Sequence, residues 1–314
     1  MGRAFTFPGQ GSQAVGMGQA LAQSFSAARE LFEEVDEALK QPLSRLMWQG
    51  PESDLTLTEN AQPALMAVSL AVMRVLEREG GFDWGRHLQL VAGHSLGEYS
   101  ALAAAGAFSV PDAARLLKAR GRAMQRAVPV GQGAMAALLG AELAQAEELA
   151  KEATRGAEIC VVANDNAPGQ IVISGHKAAI ERAAELVKSK GIKRAMMLPV
   201  SAPFHSPLMA PAAREMEDAL DAATLLPPRV PIIPNVTVEP TSDPVTIKRL
   251  LVEQVTARVR WRETIASLRA RGIESVIEAG AGKVLTGMAK RIDKDLQAIS
   301  IESPQEIEAF MKTL

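Results

Sequence analysis

The sequence is poor in the residues that usually mark a special environment. Among 314 residues there is one cysteine, one tyrosine and four histidines, and aromatic residues make up only 4%. A single thiol, Cys160, excludes an internal disulfide, and its place in the apolar run 159–162 argues for a reducing compartment. Charge of one sign is missing too: 34 Lys and Arg face 36 Asp and Glu, so no nucleic-acid footprint is visible. No apolar run reaches membrane-spanning length, and the segment 3–7 is far too short for the apolar core of a signal peptide. Met1-Gly2 with Thr6 fits a myristoylation pattern, but the same residues read as a first buried strand. Sequence repeats and low-complexity stretches are also absent. What remains is ordinary globular composition, 47% hydrophobic and 22% charged, in a chain long enough for one large core or two domains.

The most informative stretch is Val91 to Ser100. Leu88 to Ala92 form a short apolar run, Gly93-His94-Ser95-Leu96-Gly97 is a G-x-S-x-G motif, and an Ala-rich helical stretch follows. A serine on a sharp strand-to-helix turn needs glycine on both sides, because a Cβ at either position would collide with the neighbouring backbone. Ser95 would then project from the carboxyl edge of a sheet, with the N–H of Leu96 aimed at the same point to hold a developing oxyanion. The bland alternative is a Gly-rich turn carrying a solvated serine.

A second loop, Pro8-Gly9-Gln10-Gly11-Ser12, follows the first strand and precedes a helical stretch. Gly9-x-Gly11-x-x-Ala14 matches a dinucleotide fingerprint, with Glu30, Glu33 and Glu34 near the distance of its ribose-binding acid. The competing reading puts this loop beside the elbow, where the Gln10 N–H is the second oxyanion donor. Ser109 caps a helix running to about Ala127, and on it Arg120 falls in the middle of the apolar face formed by Ala113, Leu116, Leu117, Met124 and Ala127. An unpaired guanidinium there would cost several kcal/mol, so Arg120 needs a carboxylate or phosphate. It is either a structural arginine, paired or snorkelling, or a bidentate grip on an anionic substrate. Of the four histidines, His87 and His176 read as surface residues and His94 lies within the elbow. His205, on the loop 199–207, is the best-placed general base. His94 and Glu98 lack a third metal ligand, and no metal is expected. Gly280-Ala281-Gly282-Lys283 lacks the upstream glycine of a phosphate-binding loop.

The order of elements points to an α/β fold, with an α/β-hydrolase-like core on a mainly parallel sheet. Buried strands are expected at 232–238, 275–278 and 297–301, with helices at 245–257, 262–271 and 283–292 between them. A helix opening at Gln62-Pro63 runs to Glu79. Between them, 134–198 reads as β-α-β-β-α-β with a turn at 164–169, a ferredoxin-like subdomain inserted into the larger unit. The expected division is 1–128 with 197–314 as the large domain and 129–196 as the small one.

Taken together, these residues resemble the malonyl-CoA:acyl carrier protein transacylase family, the acyltransferases of fatty-acid and polyketide synthesis. The resemblance rests on the elbow, Phe7 to Gln13, Gln62-Pro63-Ala64, Arg120-Gly121, Asn164 with Pro168-Gly169-Gln170, and Phe204-His205-Ser206. Further matches are Asn235-Val236, Gln254 before Val259-Arg260-Trp261, and Gly280 to Leu285, where Ala281 replaces the family's usual proline. The resemblance implies Ser95 as nucleophile, His205 as base, Gln10 and Leu96 as oxyanion hole and Arg120 as holder of the malonyl carboxylate. It further implies a histidine-orienting main-chain carbonyl at Gln254, so a dyad in place of a triad. Gln62, Asn164 and Phe204 would line the substrate pocket, Phe204 crowding an α-methyl group. The implied partners are malonyl-CoA and the phosphopantetheine thiol of holo acyl carrier protein, with no cofactor, in a cytoplasmic monomer. The alternatives are a free-standing polyketide acyltransferase, a serine hydrolase or thioesterase, and a non-catalytic module that binds the carrier.

Overall fold

The computed structural model describes residues 2–200 and 202–314; Met1 of the myristoylation pattern and Ser201 of the His205 loop lie outside it. Among the described residues, nine strands form two sheets. Strands β1 (Gly2–Phe7), β2 (Leu90–Gly93), β7 (Ile232–Ile233), β8 (Ile273–Ala279) and β9 (Gln297–Ile301) make a parallel sheet in the order β7-β2-β1-β8-β9. Strands β3 (Gly133–Leu139), β4 (Cys160–Ala167), β5 (Gln170–His176) and β6 (Arg194–Met197) make an antiparallel sheet in the order β4-β5-β3-β6. That strand order is the ferredoxin-like one expected of a β-α-β-β-α-β unit.

Sequence pattern explains both sheets. Strand β2, buried at all four positions, is an unbroken apolar run, as a strand covered on both faces must be. Its two sides pack into separate clusters: Val91 joins the core with the helix Thr58–Glu79, while Leu90 and Ala92 join Trp261, Ile265 and Leu285. In β3 the alternation is strict. Ala134, Ala136 and Leu138 face the helices Leu143–Ala153 and Lys177–Leu186, whereas Met135 and Ala137 face the opposite way, toward Leu198, Val200 and Phe204. The helix Thr58–Glu79 is buried almost all round, because the sheet lies on one side and further helices on the other.

Several boundaries differ from expectation. The helix predicted to open at Gln62 starts a turn earlier, at Thr58, and carries Pro63 in its second turn. Residues 164–166, expected in a turn, continue β4 past two register shifts, which leaves only Pro168-Gly169 to turn. Their polar groups are met from outside the sheet: the Asp165 N–H donates to Val259 O at 2.9 Å, and its carboxylate pairs with Arg262 at 2.9 Å. Strand β7 stops after two residues, since Pro234 cannot donate to a ladder and Asn235 turns toward the elbow. Behind the Pro8–Ser12 loop the next helix begins only at Gln19, and Glu30 and Glu34 pair with Arg78 and Arg74, so the dinucleotide reading fails. No helix is long and apolar enough to cross a membrane among the described residues.

Candidate active site

Phe7 and Gly93 are partners in the β1–β2 register, so the two loops that leave these strands emerge side by side. The steric argument for the elbow holds in atomic detail. A Cβ on Gly93 would fall 1.9 Å from the Gly97 carbonyl, and one on Gly97 would fall 2.2 Å from Phe7 O. Between them Ser95 takes φ 54°, ψ −110°, a conformation that L-residues rarely adopt. Asn235 holds that turn from two sides: its Oδ1 accepts from Ser95 N at 2.8 Å and its Nδ2 donates to Gly93 O at 2.7 Å. Leu96 is the first residue of the helix Leu96–Ala104, where the N–H groups have no acceptor in a preceding turn. The Pro8–Ser12 loop lies against the elbow so closely that a Cβ on Gly9 would sit 2.8 Å from His94 O. Gln10 lines the same cleft, and its side-chain oxygen accepts from Thr58 Oγ1 at 2.9 Å.

His205 is also held at positive φ, 54°, and is 4% exposed. Its Nδ1 donates to the main-chain oxygen of Gln254 at 2.9 Å, which leaves Nε2 free to accept from the Ser95 hydroxyl at 2.8 Å. Burial, and then the nearby Arg120 charge, push the imidazole down to about 3. The ring is therefore neutral at any ordinary pH and oriented to take a proton from Ser95.

Arg120 lies on the helix Val110–Arg126, which packs so tightly on the start of Thr58–Glu79 that Gly121 could not carry a side chain: its Cβ would meet Glu59 Cα at 2.5 Å. This brings Arg120 beside Gln62. The guanidinium is 1% exposed and donates to Gln62 Oε1 at 2.8 Å, Gln254 Oε1 at 2.9 Å and Ser95 Oγ at 3.1 Å, with the Tyr99 ring 5.7 Å away. Among the described residues it forms no salt bridge, so neither a paired structural arginine nor a snorkelling one describes it. Its hydrogen bonds among the described residues all go to neutral oxygens, which leaves a buried cation with no directly bonded anion.

These residues open into a cleft of about 310 Å³ lined from both sheets, with Gln62, Asn164 and Phe204 on its wall. His94, read simply as part of the elbow, bridges to the antiparallel sheet through Nε2 and Asn166 Oδ1 at 2.8 Å. The Gly280–Lys283 loop, remote in sequence, packs on the Pro8–Ser12 loop: a Cβ on Gly282 would be 3.3 Å from Ser12 Cβ. Glu98 turns away from His94 toward Asn235 and Gln254, and among the described residues no cluster of three His, Cys, Asp or Glu could hold a metal. His87 and His176, expected at the surface, each accept a backbone N–H, from Asp83 and Ile159. The sequence pattern offers Asn235 only as part of an Asn-Val match and Glu98 only as a weak metal-ligand candidate with His94; their contacts with the elbow and Gln254 appear only in the fold.

Known proteins resemble this chain along nearly its whole length. The family model described as acyl transferase domain matches residues 4–302. The malonyl CoA-acyl carrier protein transacylase of Bacillus subtilis (strain 168) is 45% identical, across 99% of this chain and 96% of that protein. The crystal structure of an acyl-carrier-protein-S-malonyltransferase from Bartonella henselae superposes with a TM-score of 0.97 at 56% identity, covering 100% of this chain and 99% of that one. A malonyl-transacylase solved in complex with its type II PKS acyl-carrier protein superposes at 0.96, with 39% identity and full coverage of both chains. The family model and these relatives cover nearly the whole chain, and they show what it is: an acyltransferase of the malonyl CoA-acyl carrier protein transacylase family.

Proposed function

We propose that this protein moves the malonyl group from malonyl-CoA to the phosphopantetheine thiol of acyl carrier protein, through a malonyl-serine at Ser95. His205 takes the Ser95 proton as the hydroxyl attacks the thioester carbonyl, and the N–H groups of Gln10 and Leu96 hold the oxyanion. The carbon–sulfur bond breaks, and coenzyme A leaves as thiol with the proton returned by His205. The carrier thiol then attacks the acyl-serine by the same path in reverse, giving ping-pong kinetics. Gln254 orients His205 through its carbonyl, and Gln62, Asn164 and Phe204 shape the acyl pocket. No cofactor takes part. We take 1–128 with 197–314 as the catalytic body and 129–196 as the subdomain that closes the cleft.

The observation that carries this reading is Arg120: a buried guanidinium without a carboxylate, 3.1 Å from the nucleophile, suits an acyl group that brings its own carboxylate. The relative crystallised with a type II PKS carrier supports a carrier protein as acceptor. Intact-protein mass after brief mixing with malonyl-CoA tests it. A malonyl adduct that requires Ser95 and is discharged by holo acyl carrier protein supports transfer. Free malonate without an adduct would make the protein a hydrolase, and no reaction would leave only a binding module.

A further inference from the structure

Glu98 is the acid this mechanism leaves unused. It sits in the first turn of the helix Leu96–Ala104, 1% exposed, immediately behind the nucleophile. One oxygen, Oε2, accepts twice: from Asn235 N at 2.9 Å and from Gln254 Nε2 at 2.8 Å. The Gln254 amide also donates to Ser95 O at 3.1 Å, while its Oε1 accepts from Arg120 at 2.9 Å. An amide can be seated either way round, and its surroundings decide which. Here three acceptors face the nitrogen, Glu98 Oε2, Ser95 O and, at 3.5 Å, Asn235 Oδ1, and a cation faces the oxygen. Ser95 O already accepts from Glu98 N at 3.0 Å, so the carboxylate is the acceptor that decides the seating.

The geometry points to Glu98 as a positioning residue that acts through the Gln254 side chain to aim Arg120 at the acyl carboxylate. Turned over, the amide would set its NH₂ group against the guanidinium and its oxygen against three acceptors, and Arg120 would lose one of its two amide supports. The other support, Gln62, holds only Nη1, and Nη2 is the nitrogen that reaches Ser95. Burial pushes the Glu98 carboxyl up to about 7, so the protein spends stability to keep it there. Placing one neutral amide between Glu98 and Arg120 answers the buried positive charge without occupying the face that meets substrate. A carboxylate bonded directly to Arg120 would compete with the acyl group for that face.

This inference rests on the malonyl-transfer reading, and it predicts a change in donor choice beyond any loss of rate. The measurement is kcat/KM for acyl-enzyme formation with malonyl-CoA and with acetyl-CoA, expressed as a ratio, in wild type and the variants Glu98→Ala, Glu98→Gln, Gln254→Met and Arg120→Ala. Glu98→Ala should lower the malonyl-to-acetyl ratio on the order of tenfold, the weight of one charge-assisted hydrogen bond. In the Arg120→Ala background the same change should lower the ratio no further, since nothing remains to be aimed. Glu98→Gln, whose carbonyl oxygen can stand where Oε2 stands, should recover most of the lost ratio. Gln254→Met removes the amide but keeps the main-chain carbonyl for His205, and should lower the ratio even if Glu98→Ala does not fold. Equal losses with both donors, a further drop in the double variant or no rescue by Gln would overturn the assignment. Failure of the parent reading looks different: wild type would then form no malonyl-enzyme, or Arg120→Ala would leave the ratio unmoved.

Discussion

Arg120 Nη2 donates to the Ser95 hydroxyl at 3.1 Å, so the cation that would receive an acyl carboxylate already touches the nucleophile that would receive the acyl group. On the proposed reading, binding and reaction would be coupled through one nitrogen. A neutral acyl group leaves the buried guanidinium without an anion, a loss of about 2 to 5 kcal/mol, hence roughly 30-fold or more in rate. Arg120→Ala should therefore cut kcat/KM for malonyl-CoA at least that much more than for acetyl-CoA. Steady-state kinetics with both donors decide it, and equal losses would remove Arg120 from substrate recognition.

His205 gives the protein a pH-dependent stability of known sign. The imidazole sits near 6.5 when unfolded and about 3 in the fold, so the unfolded chain binds more protons between those values. Its contribution is complete above about 6.5 and is lost as pH falls toward about 3. Glu98 works in the opposite sense: raised from 4.5 to about 7, it favours the fold at low pH and loses that contribution as pH rises through this window. His205→Gln isolates the first effect. The wild-type unfolding midpoint should drop relative to the variant as pH is lowered from 6.5 toward 4, by thermal or urea denaturation. Parallel curves for the two proteins would mean that His205 is not desolvated as its burial implies.

Asn235 should prove as important as residues that touch substrate. Its side chain accepts from the nucleophile's N–H and donates to Gly93 O, fixing a backbone conformation that serine rarely adopts. Asn235→Ala leaves two buried backbone groups without partners, a cost of about 1 to 3 kcal/mol for each. The expected result is a lower urea midpoint together with a fall in kcat. Asn235→Asp keeps the acceptor for Ser95 but loses the donor to Gly93, and should fall between the two. If Asn235→Ala were as active and as stable as wild type, the elbow would be self-supporting.

Why Ser95, His205 and Arg120 were legible in the sequence, whereas Asn235 and Glu98 were not, follows from the range of their causes. The elbow is local: the glycines at 93 and 97 exclude side chains against backbone only a few residues away or in the adjacent strand. Arg120 stands out because one charged residue on an apolar helical face breaks a 3.6-residue period. Nothing local marks Asn235, whose partners lie 140 residues earlier, or the amide of Gln254, 156 residues from Glu98. The strand limits show the same division. The apolar run of β3 marks a strand by itself, but β4 carries polar residues into the sheet where Val259 and Arg262 arrive from elsewhere to meet them.

The size of Phe204 should decide how the cleft treats an α-branched acyl group. Phe204 precedes His205, packs beside Met135, Ala137 and Val172, and lines the same cleft as Ser95. A methyl group on the malonyl α-carbon would need the space that this ring fills, and forcing it in costs about 1 to 3 kcal/mol. Phe204→Ala should therefore raise methylmalonyl transfer relative to malonyl transfer by about tenfold, even if both absolute rates fall. Competition between the two thioesters for one enzyme sample, read as acyl-enzyme masses, gives this ratio directly. An unchanged ratio would move the site of α-carbon selection to another wall of the cleft, with Met135 and Val172, which also line it, the side chains to vary next.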